Sequence, residues 1–407
     1  MSVVSLALAT CISCAGVGEA PTLQHPPVDE APVLTGIDVL VQNDFRQLAG
    51  RHIGLITNQT GISRSGISDI QLLHEASDVN LVAIFSPEHG LFGKLDVSFI
   101  ADSEDTATGI KVYSLYGSTR KASPDMLTGI DTLVFDIQDI GTRFYTYIST
   151  MGQAMQTAAE HDLHFVVLDR PNPINGITVS GPVLDEGRQS FTGFHRLPVR
   201  HGMTIGELAF LFKSELQLDL DLEVIELESW KRSDYFDQTG LQWVNPSPNM
   251  RNLTEAILYP GIGLLETTNL SVGRGTDTPF ELFGAPWLDG DAFSLELNSL
   301  KLPGVQFHSL QFTPTSSKFT GELCAGIRIE ITDRAQFESV QTGLEIALQL
   351  RRSYGNKWDI DAYDRLLVNK AVLEAIRFSR SYVEIESAYK TGLTGFRNRR
   401  LPFLIYD

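Results

Sequence analysis

The sequence predicts an α/β chain: a mainly parallel sheet covered on both faces, then a smaller α+β domain from about residue 243. Two observations carry this. From Ile53 to about residue 228, short apolar runs alternate with amphipathic stretches, the signature of strands joined by crossover helices. Around Gln242 to Leu253 the character changes, and Asn245-Pro246-Ser247-Pro248-Asn249 is a turn-rich break. The expected organisation is a leader and tether over 1–33, a first domain over 34–243 and a second over 244–407. A chain of 407 residues buries roughly 70–75% of its unfolded surface and needs no disulfide or metal staple.

Ile53 to Thr57 reads as a buried strand. Ser68 to Ala76 reads as a helix, with Ser68 and Gln71 at capping-box spacing. Val79–Phe85, Lys111–Leu115 and Thr132–Phe135 are further strands. A long helix is expected from about Phe144 to Glu160, because Phe144, Tyr147, Met151, Met155 and Ala158 fall on one face. Phe165–Leu168 is the fifth strand. Thr204 and Glu207 form a capping box at a helix start, and Leu222–Leu227 is a last strand. Beyond the break, Val305–Phe312 and Gly326–Ile331 are strand-like. Helices follow at about 335–353, 366–378 and 383–390. The stripe Phe337, Val340, Leu344, Ala347 and Leu348 is a core face.

Fifty acidic residues against 32 basic ones give a net charge of −18. That excludes a duplex nucleic-acid binder, whose affinity comes from many cation–phosphate contacts, and adsorption to anionic lipid heads. At the N-terminus, Val3 to Ala9 is apolar, and Leu8-Ala9-Thr10-Cys11 resembles a bacterial lipoprotein processing site. Residues 15–33 read as a flexible tether. Export to the periplasm or cell envelope is therefore expected, with a lipid anchor at Cys11, or at Cys14, as the only membrane contact. Cys324 sits in an apolar run and reads as a buried small residue.

Ligands of open parallel sheets bind beyond the carboxyl ends of the strands. Four such tips are polar: Thr57-Asn58-Gln59-Thr60, Ser86-Pro87-Glu88-His89-Gly90, Asp136 through Arg143, and Asp169-Arg170-Pro171-Asn172-Pro173. No phosphate loop, nucleophile elbow or H-E-x-x-H occurs, and His52, His74, His161 and His164 do not cluster with acids at metal-ligand spacing. No metal or cofactor is expected. What remains is carboxylate chemistry supported by amides, Tyr and Arg, as a glycoside hydrolase uses.

Six stretches in order carry a resemblance. They are Ser86-Pro87-Glu88-His89-Gly90-Leu91-Phe92-Gly93, Asp136 to Tyr147, Leu168 to Pro173, Pro198 to Thr204, Pro246 to Met250, and Glu266 to Thr276. Together they resemble the NamZ family of exo-β-N-acetylmuramidases, from about Gly36 to the C-terminus. The resemblance implies a Rossmann-like first domain, a smaller second domain, and a site in the cleft between them. It also implies release of N-acetylmuramic acid from non-reducing ends of peptidoglycan fragments, so the expected partner is a peptidoglycan-derived disaccharide or oligosaccharide.

On this reading Glu88 is the catalytic carboxyl and donates a proton to the glycosidic oxygen. The competing reading is helix-start chemistry, with Ser86 as N-cap and Pro87 at N1. His89 is either a site residue or structural. Asp136 and Asp139 are candidate second carboxylates, with capping of the following helix as the alternative. The substrate's own acetamido oxygen is a third route to a nucleophile. The lactyl carboxylate of muramic acid calls for a guanidinium. Arg143, Arg170, Arg251 and Arg274 lie in or beside the motifs, and Arg143 and Arg274 are preferred. Asn58, Gln138, Asn249 and Asn269 are candidate sugar binders, Tyr145 could stack on a sugar face, and Glu266 could close the cleft. Glu207 is assigned to capping. The rivals are a binding protein that captures muropeptides without turnover, and an amidase or esterase, for which no convincing nucleophile is present.

Overall fold

In the computed structural model, which describes Met1 and residues 31–97, 99–117 and 119–407, the first half is built on a seven-stranded sheet, with β7 and β8 as a separate antiparallel pair. The processing site at Leu8–Cys11, Cys14 and most of the tether lie outside the described residues. The chain runs α1 (Gly36–Gln42), β1 (His52–Thr57), α2 (Asp69–Glu75), β2 (Asn80–Ser86), β3 (Ser103–Glu104), β4 (Lys111–Ser114), β5 (Thr132–Asp136), α3 (Tyr147–Glu160), β6 (His164–Leu168), β7 (Ser180–Val183), β8 (Pro198–Arg200), α4 (Ile205–Glu215) and β9 (Leu222–Ile225). The large sheet has the order β3-β4-β2-β1-β5-β6-β9. All its pairings are parallel except β3 on β4.

The alternation along each strand builds two cores. Leu55, Val134 and Val166 pack with Ile37 and Leu40 of α1 on one face. Leu133, Phe135, Phe165 and Val167 pack with Ile148, Met151 and Leu208 on the other. β5 and β6 are buried along their whole length, as strands covered on both faces must be. This is the Rossmann-like arrangement. Val33, at the end of the expected tether, already packs with Leu227 and Trp230.

The second half contains α5 (Leu253–Ile262), β10 (Leu282–Ala285), α6 (Gly290–Ser299), β11 (Val305–Phe312), β12 (Cys324–Ile331), α7 (Ser339–Tyr354), α8 (Ile360–Leu367), α9 (Lys370–Arg377) and α10 (Tyr382–Arg400). Its antiparallel sheet has the order β10-β12-β11. The expected stripe on α7 is buried, as is Cys324. One apolar cluster runs from Ile56 to Phe396, so the core is continuous across both halves.

Several elements differ from expectation for physical reasons. α3 starts at Tyr147 and not near Phe144, because the preceding backbone is paired elsewhere. Thr142 bridges Arg200, and Arg143 N–H donates to Val199 O at 2.9 Å. The expected helix over 366–378 is broken between α8 and α9 at Val368, whose φ is +45°. Asn369 then caps α9 by accepting from Val372 N–H. α10 runs past Lys390 through Gly392 and Gly395, poor helix formers, because Leu393 and Phe396 are buried. α5 has little sequence signal, since it holds Pro260 and Gly261. Gly261 is required by contact: a Cβ there would lie 2.0 Å from Ser339 O, where α5 crosses α7 at Gly343. Ser68 caps α2 by accepting from Gln71 N–H, but the Gln71 amide donates to Glu75 instead of completing a capping box. The Thr204–Glu207 box is complete.

Candidate active site

β2 delivers Ser86 to the carboxyl edge of the sheet, and Pro87 ends the strand. The next residues do not start a helix. They form successive turns, with Gly90 N–H donating to Pro87 O and Gly93 N–H to Gly90 O. His89, Gly90 and Gly93 all have positive φ, which a helix does not allow. The helix-start reading of Ser86-Pro87-Glu88 is thereby removed. The turn presents Glu88, half-buried, to a cavity of about 270 Å³.

Thr146 immediately precedes α3 but makes no side-chain cap. Its hydroxyl donates to Glu88 Oε2 at 2.5 Å instead. A residue that normally stabilises a helix end thus orients a carboxyl there instead. The Tyr116 hydroxyl is held protonated, first by burial and then by the neighbouring Glu88 carboxylate. His89 Nδ1 lies 2.7 Å from Leu95 O. A carbonyl only accepts, so Nδ1 carries a proton and donates it.

The cavity wall is aromatic. Tyr145 stands edge-on to Tyr147 at 5.1 Å and to Tyr259 at 5.8 Å, and Tyr259 stands edge-on to Phe280 at 4.7 Å. Tyr147 is fixed by donating to Pro246 O at 2.5 Å. The second half supplies the cation. Arg274 lines the cavity with its Nε 2.5 Å from Glu266 Oε1 and its Nη1 3.1 Å from Asp96 Oδ2. Burial opposes its charge, but Glu266, Tyr259 and Asp96 outweigh it and hold the guanidinium protonated. Asn249 reaches the same cluster, donating to Asp96 Oδ2 at 3.2 Å. The cavity therefore lies between the two halves: Glu88, His89, Asp96 and Tyr145 on one side, Ser247, Tyr259, Glu266 and Arg274 on the other.

Comparison with known proteins shows the family. Descriptions of the N-terminal and C-terminal parts of the exo-β-N-acetylmuramidase NamZ match residues 53–254 and 257–406. The chain belongs to the NamZ family. It is 44% identical to the peptidoglycan β-N-acetylmuramidase NamZ of Bacillus subtilis strain 168 over 391 residues, covering 95% of this chain and 94% of that protein. A crystal structure of a DUF1343 family protein from Bacteroides fragilis NCTC 9343 matches with a TM-score of 0.86 and 37% identity, over 92% of this chain and 99% of that one. A second such protein from the same strain gives 0.76 and 29%, over 93% and 99%.

Of the site residues expected from sequence, this NamZ family fold brings Glu88, His89, Tyr145, Glu266 and Arg274 to the cavity, with Asn249 beside it. The others are placed elsewhere. Asp136 is fully buried and bound in two places by Arg170, Nε to Oδ1 at 2.5 Å and Nη2 to Oδ2 at 2.9 Å. Both are correspondingly absent from the cavity lining. Beside them burial and the Asp136 charge hold the Asp69 carboxyl well above the usual range. This network lies at the carboxyl ends of β1 and β5, where the strand order reverses and doubly wound sheets commonly take a ligand. Asp139 accepts from Gly141 N–H at 2.7 Å and lies 3.4 Å from His201 Nε2.

Arg143, a preferred candidate for the substrate carboxylate, is fully buried. It donates to the carbonyls of Pro182, Leu197, Leu366 and Leu367 at 2.7–3.1 Å. The last two close the end of α8, where a cation meets the unpaired carbonyls. Arg143 therefore ties the halves together and does not face the cavity. Gln138 donates to Asp139 O and Pro171 O, and Asn58 Oδ1 accepts from Thr60 N–H and its hydroxyl. Asn269 braces the chain at Lys357 and Asp359. Arg251 is directed to Pro248 O and Asp277 O.

Sequence reasoning missed Asp96, Thr146 and Tyr259. Asp96 follows Glu88 in one loop, and Thr146 lies inside the motif that ends at Tyr147, so both carried a signal. Tyr259 carried none, because α5 was itself not expected.

Proposed function

We propose that this chain is an exo-β-N-acetylmuramidase that removes N-acetylmuramic acid from the non-reducing ends of peptidoglycan fragments. The observation that carries the reading is the pairing, in one aromatic-walled cavity, of a carboxyl oriented by Thr146 with the guanidinium of Arg274. The chemistry of the substrate asks for both. Cleavage of a glycosidic bond needs a proton on the departing oxygen, and Glu88 is the group that delivers it. Its Oε2 is engaged by Thr146. Arg274 pairs with the lactyl carboxylate, the feature that separates muramic acid from N-acetylglucosamine. Tyr145 and Tyr259 offer apolar ring surface to a sugar face. Family membership and the likeness to the Bacillus muramidase support the same substrate class.

The direct test is mass spectrometry of the products formed from a disaccharide with N-acetylmuramic acid at its non-reducing end. Purified protein is expected to yield two free monosaccharides. An intact disaccharide bound tightly but unchanged points to a binding protein, and loss of only the lactyl or acetyl group points to another hydrolase class.

We further propose export and anchoring through Cys11. The apolar Val3 to Ala9 run and the Leu8-Ala9-Thr10-Cys11 pattern support it. Cells fed a labelled fatty acid are expected to label the full-length protein but not its Cys11→Ser variant. Equal labelling of the two would move the anchor elsewhere, and no labelling of either would end the proposal.

A further inference from the structure

Two carboxylates already hold the one arginine of this cavity, and they are not equivalent. Glu266 lies 2.5 Å from Arg274 Nε, and its side chain is 21% exposed. Asp96 lies 3.1 Å from Nη1, and its side chain is 53% exposed. A third carboxylate arriving on the substrate meets two like charges around a single guanidinium, and like charges at that range repel. To take Nη1, the substrate carboxylate must displace the resident one there. Asp96 leaves at lower cost, because its pair is the longer one and water resolvates an exposed side chain. The side chains on either side of it, Leu95 and Val97, are both exposed, while the Leu95 backbone is held by His89.

We propose that Asp96 is a placeholder for the substrate carboxylate. Between turnovers it keeps the Arg274 Nη1 edge aimed into the cavity, with Asn249 Nδ2 holding the same carboxylate oxygen. A ligand bearing a lactyl-type carboxylate displaces it and takes Nη1. A glycoside without that carboxylate has nothing to exchange and sits beside a closed ion pair. Asp96 is thus a specificity-determining residue that acts through Arg274. The inference rests on the muramidase reading above.

The test is steady-state kinetics of Asp96→Asn, which keeps the side-chain shape and an oxygen to accept from Asn249. KM for an N-acetylmuramic acid glycoside is expected to fall about two- to fivefold, the range of a half-exposed ion pair. KM for the matching N-acetylglucosaminide is not expected to fall. In an Arg274→Ala background, where KM for the muramide is already raised, Asp96→Asn should give no further decrease. A purely structural role for Asp96 cannot improve binding, so an unchanged or raised KM in the single variant overturns the proposal. So does an equal fall in both backgrounds. If the unaltered protein turns over the muramide but Asp96→Asn behaves otherwise than expected, this inference fails alone. If the unaltered protein releases no N-acetylmuramic acid, the muramidase reading fails and takes this inference with it.

Discussion

Glu88→Gln is expected to lower kcat on an N-acetylmuramic acid glycoside roughly a thousandfold, within the range for loss of a general acid. Glutamine has no proton to give to the departing oxygen, but its carbonyl oxygen can still accept from the Thr146 hydroxyl. Shape and the Thr146 contact are therefore retained. Glu88 is half-buried and stands on a turn, so stability should change by only about 0.5 kcal/mol or less. The two readouts together separate catalysis from folding. Activity kept in Glu88→Gln would transfer the acid role to another group, and activity lost together with the fold would make the loss uninformative about chemistry. A good leaving group needs less protonation. An activated aryl muramide should therefore recover part of the lost rate in this variant, while a natural disaccharide should not.

The second large effect is on the fold. Arg170→Ala is expected to destabilise the protein by about 3–5 kcal/mol, the cost of leaving a buried charge without its partner. Asp136 is fully buried and Arg170 is nearly so, and the pair is bidentate. Arg170 also donates to Ile62 O at 3.1 Å, so it holds a loop beside the pair as well. The double variant Asp136→Asn/Arg170→Ala should be less destabilised than Arg170→Ala alone, because the orphaned charge is gone. Chemical denaturation of the three proteins measures this directly. If Arg170 were instead a substrate contact, Arg170→Ala would raise KM and leave the unfolding midpoint in place, and that result would reject the structural assignment.

These two residues also show how far the sequence could be read. Glu88 was accessible to sequence reasoning because the chain announces it locally. A buried strand ends at a proline, and Gly90 and Gly93 then deny the backbone a helix. Arg170 was not, because nothing near it in the chain names Asp136 as its partner. The same division runs through the fold. β11 was expected at its observed bounds, since period-two alternation is a property of the strand itself. The break at Val368 was not expected. It depends on contacts made by Arg143 and Asn369 with segments that are far away in sequence.

By itself, then, and leaving aside α1, α5, α6, β3, β7, β8 and β10, the sequence determined the strands of the parallel sheet, the fold class and the loop that carries Glu88. All of these follow from local periodicity, turn residues and motif spacing. Only the tertiary structure decided between the arginines. Arg143 and Arg274 have the same chemistry and both sit in glycine-containing loops. One meets the end of a helix 223 residues away, and the other meets Asp96 across the cavity, 178 residues away. A loop side chain takes its role from what long-range packing places opposite it, and neither hydrophobic periodicity nor residue type encodes that contact.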